Sequence, residues 1–184
     1  MFCIVCGCPT GNMCLCGSCR VPFERAWVFG ERDGVLQRLV GTYKFSRVKS
    51  GHKVLGDLLM SILPELPPET VIVPIPTVSS HVRERGYDHM MLITKYVAKK
   101  RKLKIERLLY RKTSTKQRQA IAMQRTNQAK QAFAVRGLVN AEVPYLLIDD
   151  VITTGATIKY ASKALRDAGA KHVWVVAVAR QRLK

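Results

Sequence analysis

Residues 145–157, Tyr145-Leu146-Leu147-Ile148-Asp149-Asp150-Val151-Ile152-Thr153-Thr154-Gly155-Ala156-Thr157, constrain this chain more than any other stretch. The run Leu146 to Ile148 is short, β-prone and apolar throughout, as in a parallel strand buried on both faces. From Ile158 the apolar period lengthens: Ile158, Ala161, Leu165 and Ala168 mark one face of a helix, and Gly169 stops it. A loop between a buried strand and a helix N-terminus presents free backbone N–H groups, which suits a phosphate. Thr153, Thr154 and Thr157 add hydroxyl donors, and Gly155 with Ala156 lets a ligand come close to the backbone. Asp149 and Asp150, at the carboxyl end of the strand, are placed to accept hydrogen bonds from vicinal sugar hydroxyls. Together the parts predict a cradle for a ribose 5-phosphate. A bare helix cap would need one acid rather than this whole string. A Walker-type loop is excluded, because no Gly-Lys-Ser/Thr follows the strand.

The string resembles the 5-phosphoribosyl-1-pyrophosphate (PRPP) signature of the type I phosphoribosyltransferases. The resemblance implies that Val151, Thr153, Thr154, Gly155, Ala156 and Thr157 bind the PRPP 5-phosphate. It makes Asp149 and Asp150 the catalytic pair, facing the ribose and favouring positive charge on the ring. Mg²⁺ would accompany PRPP, keeping most of its ligands as substrate oxygens and water.

All six cysteines fall at the N-terminus, as Cys3, Cys6, Cys8, Cys14, Cys16 and Cys19. Cys3-x-x-Cys6 and Cys16-x-x-Cys19 are two knuckle-like pairs, each able to place two thiolates on one side of a tight turn. They predict a structural zinc site. Cys8 and Cys14 are left over, and either is able to replace a knuckle member. The N-terminus lacks the basic and apolar regions of a signal peptide, and the longest apolar runs are too short to span a bilayer. A cytoplasmic protein with no membrane insertion is expected, and in that reducing compartment disulfides are the weaker reading.

The formal charge of +18 over 184 residues implies an anionic partner, nucleic acid before membrane. Between Lys99 and Lys130 there are twelve Lys/Arg and one acid, Glu106. Lys99, Lys100, Arg101, Lys102, Lys116 and Arg118 are the candidate nucleic-acid contacts. The polar stretch from Lys112 to Gln124 is expected to be a mobile basic loop able to close over a polyanion.

The remaining elements alternate. Trp27 to Phe29 form an edge strand ending at Gly30; Leu36, Leu39, Val40 and Tyr43 mark one helix, and Val54 to Ile62 a second. Lys44 to Lys53 is a basic link, expected to be a solvated turn. Val71 to Pro76 is a strand. It leads into a hydroxyl- and arginine-bearing loop in which Thr77, Arg83 and Arg85 are candidates for pyrophosphate, with Lys112, Lys116 and Arg118 closing from the basic loop. A helix follows with Tyr87, Met90, Met91, Thr94, Val97 and Ala98 on one face, the methionines as core filler. His81 and His89 have no matching ligands and are given no role. Lys104 to Arg111 is expected as one strand, Phe133 to Val135 as another, Gly137 to Val143 as a turn and His172 to Ala179 as the last buried strand. The alternation predicts an α/β fold with a mostly parallel sheet flanked by helices.

Several landmarks together resemble the ComF family of competence-associated phosphoribosyltransferase-like proteins. They are the Cys-x-x-Cys pairs, Tyr43-Lys44-Phe45, Val73-Pro74-Ile75-Pro76 with Arg83-x-Arg85-Gly86-Tyr87, and Arg111 through Gln117 to Arg125 followed by Ala132-Phe133. Two positions depart from the pattern: Asp88 stands where Asn is expected, and Gln128 or a shifted Asn127 stands before Ala-Phe. The resemblance implies a zinc ribbon at residues 1–24 and a type I phosphoribosyltransferase domain at residues 25–184. It also implies a role in natural transformation, handling incoming single-stranded DNA beside a DNA-translocating competence ATPase. Two other readings stay open: a phosphoribosyltransferase for a small nucleobase-like acceptor, and a non-catalytic PRPP-binding module.

Overall fold

The strand that carries the two acids lies in the middle of a parallel sheet. The computed structural model describes residues 2–11, 15–45, 48–111 and 133–181. The chain runs β1 (Arg25–Glu31), α1 (Gly34–Phe45), α2 (Gly51–Ile62), β2 (Val71–Pro74), α3 (Ser79–Arg85), α4 (His89–Arg101) and β3 (Lys104–Ile105). It continues with β4 (Leu109–Arg111), β5 (Phe133–Val135), β6 (Pro144–Ile152), α5 (Ala156–Asp167) and β7 (His172–Arg180). Five strands form one sheet in the order β1-β7-β6-β2-β3, every neighbouring pair parallel. β1 is an edge strand, as its sequence predicts.

Alternation along β6 sends its apolar side chains to two cores. Tyr145 and Leu147 meet Val175, Ile158 and Leu165 on the α5 side, while Leu146 and Ile148 meet Leu55, Leu59 and Ile93 on the α2–α4 side. The three-residue apolar run is apolar throughout because both faces of the strand are covered. Leu147 has no exposed surface, so Leu147→Ala is expected to cost about 2–5 kcal/mol, checked by urea denaturation.

From β2 the chain proceeds outward to β3, and from β6 it proceeds the other way to β7. Adjacent β2 and β6 therefore form the topological switch point, where a crevice opens at the carboxyl ends of the strands. Ile4 and Phe23 from the N-terminal segment pack into the α5-side core. Arg180 Nη1 donates to the Cys3 carbonyl at 2.7 Å, and Arg166 Nε donates to the Pro22 carbonyl at 3.2 Å. The expected boundary at residues 24 and 25 is thus spanned by a continuous core.

β6 runs from Pro144 to Ile152 with the acids in its carboxyl half, as expected. The helix after the loop starts at Ala156, and Gly169 follows it at φ 106. Two local expectations are corrected. Lys104 to Arg111 is two strands: after Glu106 N–H bonds the Ile72 carbonyl at 3.0 Å the chain leaves the sheet, and Leu109–Arg111 pairs antiparallel with β5. Leu108 and Leu109 enter the α5-side core as it does so. Ser79 to Arg85 is a short helix and not a loop, closed by Gly86 at φ 77. No helix among the described residues is long and apolar enough to cross a membrane.

Candidate functional site

At the switch point the carboxyl ends of β2 and β6 open onto a cleft of about 320 Å³. β6 supplies Asp149, Asp150 and Val151; α5 supplies Thr157; Thr77 follows β2; Lys44 and Phe45 end α1; Arg85, His89 and Arg111 complete the wall. Of the residues expected at the site, the structure brings Thr77, Arg85, Asp149, Asp150, Val151 and Thr157 together here.

Asp150 is already engaged. Lys44 Nζ donates to its Oδ1 at 2.8 Å, and His89 Nε2 lies 2.7 Å from its Oδ2. Arg85 Nη1 lies 3.0 Å from His89 Nδ1. Arginine only donates, so Nδ1 accepts, and the ring proton sits on Nε2 and is donated to Asp150. This corrects two expectations: Lys44 is not part of a solvated turn, and His89 has a partner in the acid pair. Neither pairing has a local signal, because the partners lie 106 and 61 residues away in sequence. Tyr43-Lys44-Phe45 now has a mechanism. The Tyr43 hydroxyl donates to the His89 carbonyl at 2.7 Å and the Tyr87 hydroxyl to the Tyr43 carbonyl at 2.7 Å, fixing α1 against α4. Phe45 lies under the Arg85 guanidinium, 5.4 Å from ring centroid to Cζ. Burial pushes the Tyr43 hydroxyl up, so it remains a donor.

The two acids are driven apart. Burial pushes Asp149 up to about 7, and the neighbouring Asp150 charge adds to this; Lys44 and Arg111 offset only part. Burial acts on Asp150 in the same sense, but the His89 hydrogen bond and the Lys44 charge outweigh it and hold that carboxyl down at about 2. Asp150 is therefore an anion held in place, and Asp149 a carboxyl poised near neutrality.

The loop between β6 and α5 follows directly. Gly155 adopts φ 74, a left-handed conformation at the N-cap of α5 that a side chain would strain. The Ala156 N–H has only a 3.4 Å contact to Thr154 Oγ1 and remains available to a ligand. Thr153 and Thr154 are exposed. Thr154 and Gly155 also border a small crevice whose far wall is Ile4, Val5, Val21 and Phe23.

Arg83 and Arg85 do not share a site. Two residues apart on α3, they face different directions, which a loop would not require. Arg85 is buried against His89, whereas Arg83 is exposed and lines a neighbouring cleft. Asp88, where Asn is the expected residue, N-caps α4 by accepting the Met91 N–H at 3.2 Å, and accepts the Thr77 hydroxyl at 2.9 Å. Lys99, Lys100 and Lys102 are exposed at the far end of α4, about 18 Å from His89 along the helix axis. Arg101 is committed elsewhere: its Nη2 donates to the Met60 and Leu63 carbonyls at 3.0 and 2.9 Å. Lys112, Lys116, Arg118 and Cys14 lie outside the described residues.

Near the N-terminus the sulfurs of Cys3, Cys6, Cys16 and Cys19 all lie within 4.8 Å of one another. Cys3–Cys19 and Cys6–Cys16 are 3.9 and 3.6 Å apart. Four thiolates bound tetrahedrally to zinc at 2.3 Å stand about 3.8 Å apart, so the four sulfurs fit such an ion. A hydrogen bond from Cys19 pulls Cys16 down to about 6, which favours the thiolate. Elemental analysis is expected to find about one zinc per chain. Metal-free protein with intact disulfides would sink this assignment.

No family model matches the chain. Competence protein F of Haemophilus influenzae is 28% identical over 180 residues, covering 90% of this chain and 78% of that protein. The chain is similar to that protein over most of its length. Two solved structures also match the chain. One, described as the allosteric regulatory enzyme of purine biosynthesis, is 22% identical over 71% of this chain and 26% of that one, with a TM-score of 0.49. The other, a hypoxanthine phosphoribosyltransferase from Staphylococcus aureus, is 15% identical over 73% and 63% respectively, with a TM-score of 0.41. The chain thus spans less than two thirds of either. Its own described residues form a parallel sheet flanked by helices, with the acid pair at a switch-point cleft and a four-cysteine cluster near the N-terminus.

Proposed function

We propose that the switch-point cleft binds PRPP and that the protein handles single-stranded DNA in the cytoplasm, as part of DNA uptake. The observation that carries the PRPP reading is the acid pair on β6 set beside a left-handed Gly155 and the open first turn of α5. The 5-phosphate is held by Val151 to Thr157 through backbone N–H groups and threonine hydroxyls. Asp149 and the remaining lone pairs of Asp150 accept the ribose hydroxyls. Lys44, Arg85 and Arg111 surround the cleft with positive charge for a polyanion. Mg²⁺ taken up with PRPP would be held beside Asp149 and Asp150 and would supply charge neutralisation for the leaving pyrophosphate. Thr77 and Arg85 face the pyrophosphate from this cleft, whereas Arg83 lines the neighbouring one. In a transfer reaction the acid pair stabilises the cation-like sugar electrostatically and forms no bond to it.

The test is calorimetric titration of PRPP, with and without Mg²⁺, into wild type and Asp149→Asn/Asp150→Asn. The double variant is expected to bind at least about tenfold more weakly, through loss of charge-assisted hydrogen bonds. Unchanged affinity would refute the residue assignment. Binding without pyrophosphate release across a panel of nucleobase and nucleic-acid acceptors would favour a non-catalytic module.

The DNA reading rests on the charge of +18 and on exposed Lys99, Lys100 and Lys102. If about five phosphates are neutralised, log K should fall against log salt with a slope near −3.5 on single strands. Affinity independent of salt would count against it.

A further inference from the structure

Beside the PRPP cleft lies a larger one of about 590 Å³, within the usual size range of a small-molecule site. The two share Pro76, Thr77, Val78 and Arg111. Arg83, Arg107, Arg111 and Arg136 all line the larger cleft, and no acid among the described residues does. They come from α3, from the segment before β4, from β4 itself and from the residue after β5, so their convergence is a product of the fold and not of a basic run.

These guanidiniums are poorly neutralised. Among the described residues Arg83 has no hydrogen-bond or ion-pair partner. Arg107 makes one long, largely exposed ion pair, its Nη2 standing 3.6 Å from Asp88 Oδ2, while Asp88 Oδ1 accepts from Thr77 and Met91. Arg136 lies 5.2 Å over the Tyr110 ring, and Arg111 4.9 Å over the Phe133 ring, with its Nε donating to the Pro76 carbonyl at 2.9 Å. Ring contacts orient the heads without cancelling their charge. Four like charges around one space repel one another, and an anion among them relieves that repulsion. Ser79 and Ser80 add hydroxyl donors to the same wall, and the guanidinium planes offer flat faces to a base.

We propose that this arginine cleft binds a nucleoside 5′-phosphate, so that the group held beside PRPP is itself anionic and not a bare base. The inference rests on the PRPP reading for the identity of the neighbour, but not for the charge of the cleft. The phosphate belongs to a free mononucleotide or to the phosphorylated end of a single strand.

The experiment titrates thymidine 5′-monophosphate, thymidine, and trithymidylate with and without a 5′-phosphate into three proteins. These are wild type, Arg107→Ala/Arg136→Ala, and the charge-matched Arg38→Ala/Lys163→Ala, whose side chains lie on α1 and α5. Both arginines tested are exposed, and circular dichroism of each variant reports folding. Wild type should bind the monophosphate at least about tenfold more tightly than thymidine, and Arg107→Ala/Arg136→Ala should lose about that factor. The control should keep its affinity. If the monophosphate and the 5′-phosphorylated trinucleotide compete, both sources enter one site; if only the phosphorylated strand loses affinity in the variant, the strand end is the ligand. Unchanged binding of both phosphorylated probes, no preference for phosphate, or equal loss in the control overturns the proposal. Ribose 5-phosphate, titrated in parallel, should bind wild type and Arg107→Ala/Arg136→Ala alike. Its failure to bind wild type would sink the PRPP reading and leave the arginine cleft to its own result.

Discussion

Asp149→Asn should make the protein more stable at pH 8, by about 2–4 kcal/mol, while weakening the site. The wild-type carboxyl is raised to about 7 by burial and by Asp150, from an ordinary value of 3.8. Between those values the folded chain holds a proton that the unfolded chain has released, so stability falls as pH rises through this window. Below it both states are protonated and nothing is contributed. Above it the full cost of a buried anion is present. Asn removes the titration and can still accept the Asp150 N–H, which lies 2.9 Å from Asp149 Oδ1. The lower end of the estimate allows for an amide NH₂ in a buried position. Urea denaturation at pH 5 and pH 8 decides: wild type should lose stability between them and the variant should not. Parallel curves would show that Asp149 titrates normally. Asp150 has the opposite sign and another window, since its depressed value contributes stability above 3.8 that is lost as pH falls towards 2. The two acids can therefore be separated in one pH series.

Much of the strand, turn and helix that build the candidate site was legible because their geometry is written locally. Leu146 to Ile148 had to be buried on both faces, and Gly155 stands where the loop needs a left-handed residue. The cysteine pairs were legible for the same reason: a two-residue spacer confines both sulfurs to one turn, and the fold had only to bring the turns together. What decides the state of the acids was not legible. Lys44 and His89 reach Asp150 only because Tyr43 and Tyr87 clamp α1 onto α4, a packing event between distant segments. Tyr43-Lys44-Phe45 was visible as a landmark, but its meaning needed the acid that Lys44 meets.

The arginines show how one wrong local state misdirects a site. Arg83 and Arg85 looked like a pair because a loop imposes no direction on residues two apart. In the helix that forms, one is buried under His89 and the other opens on the larger cleft. Arg107 and Arg136 carried no sequence signal, since their convergence depends on the β4–β5 hairpin folding beside α3. Lys104 to Arg111 concealed that hairpin by resembling a single strand, although its halves pair with different partners.

Asp150→Ala should destabilise the protein by about 3 kcal/mol, because it removes the buried carboxylate to which Lys44 and His89 both donate. His89 Nε2–H would be left without its acceptor in a buried position, while Lys44, whose side chain is 20% exposed, can turn to water. For a chain of this size that corresponds to a melting temperature lower by about 6–12 °C. Asp150→Asn, whose carbonyl can still accept from His89, should lose less than half as much. A second consequence separates this from a simple packing defect. The Asp150 charge helps to raise Asp149, so removing it lets Asp149 ionise at lower pH and reduces the cost of its anion at pH 8. The gain from Asp149→Asn should therefore be smaller in the Asp150→Ala background than in wild type. A double-mutant cycle at pH 8 measures the difference, with coupling of about 1–2 kcal/mol expected for charges in contact. Additive effects would mean that the acids do not sense one another, and that burial alone sets the proton on Asp149.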